Sequence, residues 1–192
     1  IETSDAGSPM AKTVQVMGRR LSNRWCIHPM EGWDGTPEGN PTELTLRRWQ
    51  RFGLSGAKLI WGGEAVAVRH EGRANPNQLR ASEATKAGLA KLRETLLAAH
   101  KQSFGTTDDL LVGLQLTHSG RFCRPNEKAK AEPRILFHHP ILDGRVGIKA
   151  DDNSAIMTDA DIDRLIDDFV TASKMAHDLG YDFVDLKACH GY

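Results

Sequence analysis

Short apolar runs recur four times along this sequence, and each breaks off into polar or glycine residues. Trp25-Cys26-Ile27 runs into His28-Pro29-Met30-Glu31-Gly32-Trp33, and Lys58-Leu59-Ile60-Trp61 into Gly62-Gly63-Glu64-Ala65. Leu110 to Leu116 runs into Thr117-His118-Ser119-Gly120-Arg121, and Phe183 to Leu186 into a stretch holding Lys187, His190 and Tyr192. Each run reads as a strand, and Pro29, which has no N–H to give a ladder, ends the first. Helical patterns lie between them. Thr42 caps one that offers Leu44, Trp49 and Phe52 as a buried face, with Gly53 and Gly56 expected to end it. Ser82 caps the next, with Leu89, Leu92, Leu96 and Ala99 at helical spacing. Thr158-Asp159-Ala160-Asp161 opens a third like a capping box, followed by a core stripe of Ile162, Leu165, Ile166, Phe169 and Ala176 and a stop at Gly180. Strand–helix alternation of this kind implies a parallel sheet with right-handed crossovers, either open and doubly wound or closed toward a barrel. No GxGxxG follows the first strand, which disfavours a Rossmann dinucleotide site. Polar chemistry at four successive strand exits is the barrel arrangement.

The remaining stretches fit around this frame. Residues 1–11 are polar and read as a flexible tail. Val14, Val16 and Leu21 around Gly18-Arg19-Arg20 predict a short hairpin. Residues 119–157, with Pro125, Pro133 and Pro140, form a long excursion after the third strand; loops of that length are functional or disordered.

Charge and cysteine content bound the partners. Lys plus Arg number 25 and Asp plus Glu number 25, so there is no basic excess to recruit nucleic acid or a membrane surface. No apolar run reaches the length of about 18 residues that a membrane span needs, and the N-terminus has no secretory pattern, so a cytoplasmic setting is expected. Cys26, Cys123 and Cys189 are odd in number and unpaired in spacing, which fits a reducing compartment. No CxxC or HExxH pattern calls for a metal.

Two strand exits carry candidate chemistry. Lys187, His190 and Tyr192 place an ammonium, an imidazole and a phenol within six residues, although a solvated strand end would hold the same types. Gln115 is the one polar side chain in an apolar run and needs hydrogen-bond partners, from a ligand ring edge or from backbone.

Several spaced motifs here resemble those of the old yellow enzyme family of FMN-dependent ene-reductases. They are Asn23-Arg24 with His28-Pro29-Met30, Gly72-Arg73, the stretch from Gly113 to Arg121, and the stretch from Asp185 to Tyr192, in family order from Val14 to Tyr192. The resemblance implies a TIM (β/α)8-type barrel with FMN at its mouth and NAD(P)H as reductant. Pro29, Met30 and Glu31 would line the flavin, Ala65 would sit by its pyrimidine side, and Gln115 would bond the ring. Lys187 and His190 would grip a carbonyl or nitro oxygen of a small-molecule substrate, with Trp33 beside it. Tyr192 would donate the proton that completes reduction of an activated alkene. Two positions depart from the family. Lys187 stands where His is usual, or Tyr in the amine-dehydrogenase branch, and Glu31 stands where a small donor such as Cys or Thr is usual. Lys187 could pair with Asp185, two residues back on the same strand face, or with Glu31, and such a pair could be purely structural. These departures keep open an amine- or demethylation-type flavin dehydrogenase. A non-catalytic half-barrel assembly module is the alternative from outside enzymology.

A complete barrel of this kind takes about 250 residues, whereas four strands and the excursion here occupy 192. Residues 12–192 are therefore expected to form the N-terminal half of an FMN-binding barrel, about four βα units with an N-terminal hairpin. In the family the FMN phosphate is held by the second half. The expected partner is a completing half-barrel or a second copy of the chain, because a half barrel exposes two strand edges.

Overall fold

Residues 7–188 are described by the computed structural model. A 3-10 turn, Pro9–Ala11, opens this part, and the Met10 carbonyl accepts from Arg24 N at 2.9 Å. β1 (Val14–Val16) and β2 (Arg19–Leu21) form the antiparallel hairpin. Its two turn residues, Met17 and Gly18, both have positive φ (49° and 74°), as a two-residue hairpin loop matched to strand twist requires. β3 (Cys26–Ile27), α1 (Glu43–Leu54), β4 (Leu59–Ile60) and β5 (Ala65–Ala67) follow. Then come α2 (Lys86–Phe104), β6 (Leu111–Thr117), α3 (Leu142–Val146), α4 (Asp159–Asp178) and β7 (Phe183–Leu186).

Beyond the hairpin the strands pair in parallel, β3 with β4, β4 with β6 and β6 with β7. β5 runs on from β4 and pairs with β6 further along. From Ile60 to Ala65 the chain takes five steps where β6, from Val112 to Gln115, takes three. Trp61 to Glu64 is thus a bulge with two extra residues, and Gly62 and Gly63 take the positive φ it needs (88° and 46°). The sequence suggested a strand exit at Gly62-Gly63; the strand instead resumes beyond them, and the bulge re-aims β5.

Side-chain alternation separates two faces. Val112, Leu114 and Leu116 of β6 join Leu89, Leu92 and Leu96 of α2 and Met175 and Ala176 of α4 in the main core. Gly113 and Gln115 lie on the opposite, inner face, level with Phe183 and Asp185 of β7. The Phe183 ring covers Gly113 so closely that a Cβ there would overlap it. The result is an α/β half barrel, a curled parallel sheet with helices outside. The hairpin lies at the N-terminal ends of the strands, where Arg19 donates to the Leu110 carbonyl (2.7 Å) and pairs with Asp182 (3.0 Å).

Three expectations about the helices change. Leu44 is 53% exposed, and Thr45, Trp49 and Gly53 form the buried face of α1. Gly53 does not end α1; it sits inside it, where the absence of a side chain lets α2 approach through Leu96 and Ala99. Ile166 is 54% exposed on α4, while Leu165 and Phe169 pack on the core. The Thr42 and Thr158 caps form as capping boxes. No described helix is long and apolar enough to cross a membrane.

The excursion after β6 is ordered by buried polar contacts. Arg121, 2% exposed, forms an ion pair with Asp143 of α3, and its second nitrogen donates to the Phe137 carbonyl at 3.0 Å. His138 bridges the Asp143 carboxylate (2.7 Å) and the Asn153 side chain (3.0 Å), and Ile135 pairs with Ile156.

Candidate functional site

The inner face ends at a rim formed by the C-terminal exits of β3, β5, β6 and β7. Pro29 is half-buried there, Met30 is 60% exposed and Trp33 is 50% exposed. Glu31 and Lys187 meet at this rim, carboxylate to ammonium, with only 7% of the Lys187 side chain and 22% of the Glu31 side chain exposed. Of the two partners the sequence offered Lys187, the structure brings up Glu31. Asp185 instead accepts from Gln115 Nε2 at 2.6 Å, across the β6–β7 pairing. That bond gives the buried amide nitrogen a side-chain partner. Beneath these polar groups Trp61 and Phe183 pack with ring centroids 5.3 Å apart, and Trp61 stays 39% exposed. His190 and Tyr192 lie outside the described residues.

Ala65 is buried and fixed through its backbone. Its N–H donates to the Met30 carbonyl at 2.9 Å, and its carbonyl accepts from Gln78 Nε2 at 2.8 Å. Arg73, read from sequence as part of a family motif, is 1% exposed and donates to the carbonyls of Thr36, Pro37, Pro76 and Gln78. Its guanidinium organises the loop after β5 and does not face the rim. Trp33 carries the Lys128 ammonium of the excursion over its ring at 4.9 Å, a cation–π contact that joins the β3 exit to the loop after β6.

Sequence reasoning missed the group that holds the β3 exit in place. Glu64 is fully buried, and its carboxylate accepts from Gly32 N at 2.9 Å and from Arg48 at 2.8 Å. Arg48 reaches from α1 and also binds Asp34 at 2.8 Å. The signal was available: Glu64 is a single acid heading the apolar run Ala65 to Val68, and a buried carboxylate demands a cation and donors. His118, at the β6 exit, is 8% exposed, and burial pushes its imidazole down to about 4. Its Nδ1 accepts from Gly120 N at 3.1 Å, which leaves no room for a second ring proton.

The NADH:flavin oxidoreductase / NADH oxidase family matches residues 12–192. A NADPH dehydrogenase of Bacillus velezensis is 32% identical over 185 residues, which is 94% of this chain and 47% of that protein. Among solved structures, an old yellow enzyme homologue from Zymomonas mobilis superposes with a TM-score of 0.72 at 22% identity, covering 96% of this chain and 50% of that one. Old Yellow Enzyme from Pichia sp. gives the same TM-score at 20% identity, with 97% and 47% covered. The chain thus spans about half the length of the relatives it matches. Matched from residue 12 to residue 192, the chain belongs to the NADH:flavin oxidoreductase / NADH oxidase family.

Proposed function

We propose that this chain forms the first half of an FMN-dependent NAD(P)H oxidoreductase of old yellow enzyme type, acting on small molecules with an activated C=C bond or a nitro group. Residues 12–192 are the half-barrel, and a second half-barrel or a second copy of the chain completes it. The observation that carries the reading is the rim itself. A buried ammonium, Lys187, and a buried amide, Gln115, sit above an open aromatic pair, each held by its own carboxylate.

The residues present fit the ring end of FMN. Met30 and Trp61 offer exposed apolar surface, Ala65 adds no bulk beyond its Cβ, and Gln115 is a polar group fixed on the inner face. Bound FMN supplies hydride transfer between the nicotinamide and the substrate. The chain's own groups bind and polarise. Lys187 is the donor for a substrate oxygen that gains negative charge, and Glu31 holds that ammonium in place until substrate arrives. Trp33, clasped by Lys128, walls the substrate side. His190 is the second oxygen ligand, and Tyr192 is the proton donor to the α-carbon. A reducing, cytoplasmic setting suits the cysteines.

Anaerobic assay of the natively purified protein tests the reading. NADPH or NADH is expected to bleach the flavin, and an α,β-unsaturated ketone to restore its colour. Bleaching by an amine with no nicotinamide present would favour a dehydrogenase instead. A protein that holds stable oligomers with no flavin chemistry at all would overturn the enzymatic reading.

A further inference from the structure

Gly32 lies between the two rim residues Glu31 and Trp33, and both polar groups around it are held from elsewhere in the fold. Its N–H donates to Glu64 Oε1 at 2.9 Å, and its carbonyl accepts from Asn75 Nδ2 at 3.1 Å. Two residues back, the Met30 carbonyl accepts from Ala65 N. The β3 exit is therefore sewn to the bulge and the loop after β5, and the only ionisable group among those three attachments is Glu64. The fit is tight: a Cβ at Gly32 would lie 2.5 Å from Glu64 Oε1, 2.8 Å from Arg48 Nη2 and 2.9 Å from Asp34 Oδ1.

We infer that Glu64 is a positioning residue for the rim loop that carries Glu31 and Trp33, and that its ionisation couples the geometry of this loop to pH. The charged and titratable groups that face Glu64 come from three elements. Arg48 of α1 binds its second oxygen, Asp34 of the β3 exit shares that arginine, and the buried Tyr181 phenol at the α4–β7 junction, whose hydroxyl donates to the Leu89 carbonyl, feels its charge. Burial raises the Glu64 carboxyl to about 7, with Arg48, Gly32 and the Trp49 indole opposing that rise and Asp34 adding to it. Ionised, Glu64 holds Arg48 strongly and pulls on the Gly32 N–H as a charge-assisted acceptor. Protonated, it keeps at most a neutral bond to Gly32 and releases Arg48 toward Asp34, so the 30–34 segment relaxes. Nothing in this step involves a flavin. The inference concerns the chain's own loop and stands or falls separately from the proposed activity.

The test is a pH titration by nuclear magnetic resonance of the full chain, labelled at glycine nitrogen and tryptophan indole nitrogen, from about pH 5.5 to about pH 8.5. The amide of Gly32 and the indole of Trp33, the latter identified by its loss in Trp33→Phe, are expected to move together through one midpoint near neutrality. Both movements vanish in Glu64→Gln, which preserves shape and an acceptor oxygen. In Asp34→Asn, which removes a neighbouring negative charge, the midpoint falls; this variant leaves Glu64 in place and carries the test if Glu64→Gln does not fold. A Gly32 amide that stays fixed across the range in the wild type would overturn the inference. So would a shift that persists in Glu64→Gln, or a midpoint unmoved in Asp34→Asn.

Discussion

The Lys187 ammonium at the exit of β7 bonds the Glu31 carboxylate at the exit of β3, so one ion pair spans the arc of the sheet from β3 to β7. It ties together positions 31 and 187, the two that the resemblance marks as departures from the family pattern. Where the resemblance implies a small donor and an imidazole, this chain has an acid and a base that pair with each other.

A double-mutant cycle on Lys187→Met and Glu31→Gln measures that matching. Each single variant removes one side of the contact, and the double variant removes both. The coupling energy from urea unfolding is expected to be roughly 1–3 kcal/mol. Additive effects would show that the contact is incidental. On the proposed function, Lys187→Met is expected to slow reoxidation by an enone on the order of 100-fold while leaving reduction by NAD(P)H nearly unchanged, the pattern of a lost oxyanion donor.

His118 makes acid stability depend on one ring. Its folded value, about 4, lies below the ordinary histidine value of 6.5 because the imidazole is buried. The unfolded chain therefore takes up a proton in this interval that the folded chain refuses. Stability from this group is complete above about pH 6.5 and falls as pH drops toward about 4, by roughly 3 kcal/mol at most. Glu64 acts with the opposite sign: its raised value makes the folded state the better proton binder between 4.5 and about 7, so its contribution is lost as pH rises through about 7. Comparing His118→Gln with the wild type by urea unfolding at several pH values isolates the first slope. The variant is expected to lose much less stability below about pH 6. Equal slopes would contradict the assignment.

Gly113 is where the inner face closes on itself. Gly113→Ala places a methyl group in the space of the Phe183 ring and is expected to cost roughly 1–3 kcal/mol by urea unfolding. The double variant Gly113→Ala with Phe183→Leu, which shrinks the opposing side chain, is expected to recover part of that loss. No recovery would place the strain elsewhere.

Much of this was legible in the sequence because it depends on local chemistry. Thr42 and Thr158 announce helix starts through their hydroxyls, and Gln115 announces a buried partner through the cost of leaving an amide unsatisfied. What that partner is could not be read: Asp185 stands 70 residues away and meets Gln115 only through strand register. Glycine was the least readable residue. Gly53 looks like a helix stop and is a close contact between helices, while Gly62 and Gly63 look like a strand exit and are a bulge. Both facts belong to tertiary packing, and a residue without a side chain gives no sign of which neighbour it admits. Leu44 and Ile166 sit at helical spacing with core residues but lie at the edges of their buried stripes. Arg73 was recognised by motif, and only the four surrounding carbonyls reveal that its work is architectural.

The most direct test of the proposal is the visible absorption spectrum of the natively purified protein, recorded again after FMN is supplied and then NADPH is added anaerobically. If the rim of Met30, Gln115 and Lys187 receives the flavin ring, the protein carries or takes up FMN, its bands shift on binding, and the nicotinamide bleaches them. A colourless protein that leaves the spectrum of added FMN unchanged would contradict the claim that this rim is one side of a flavin site.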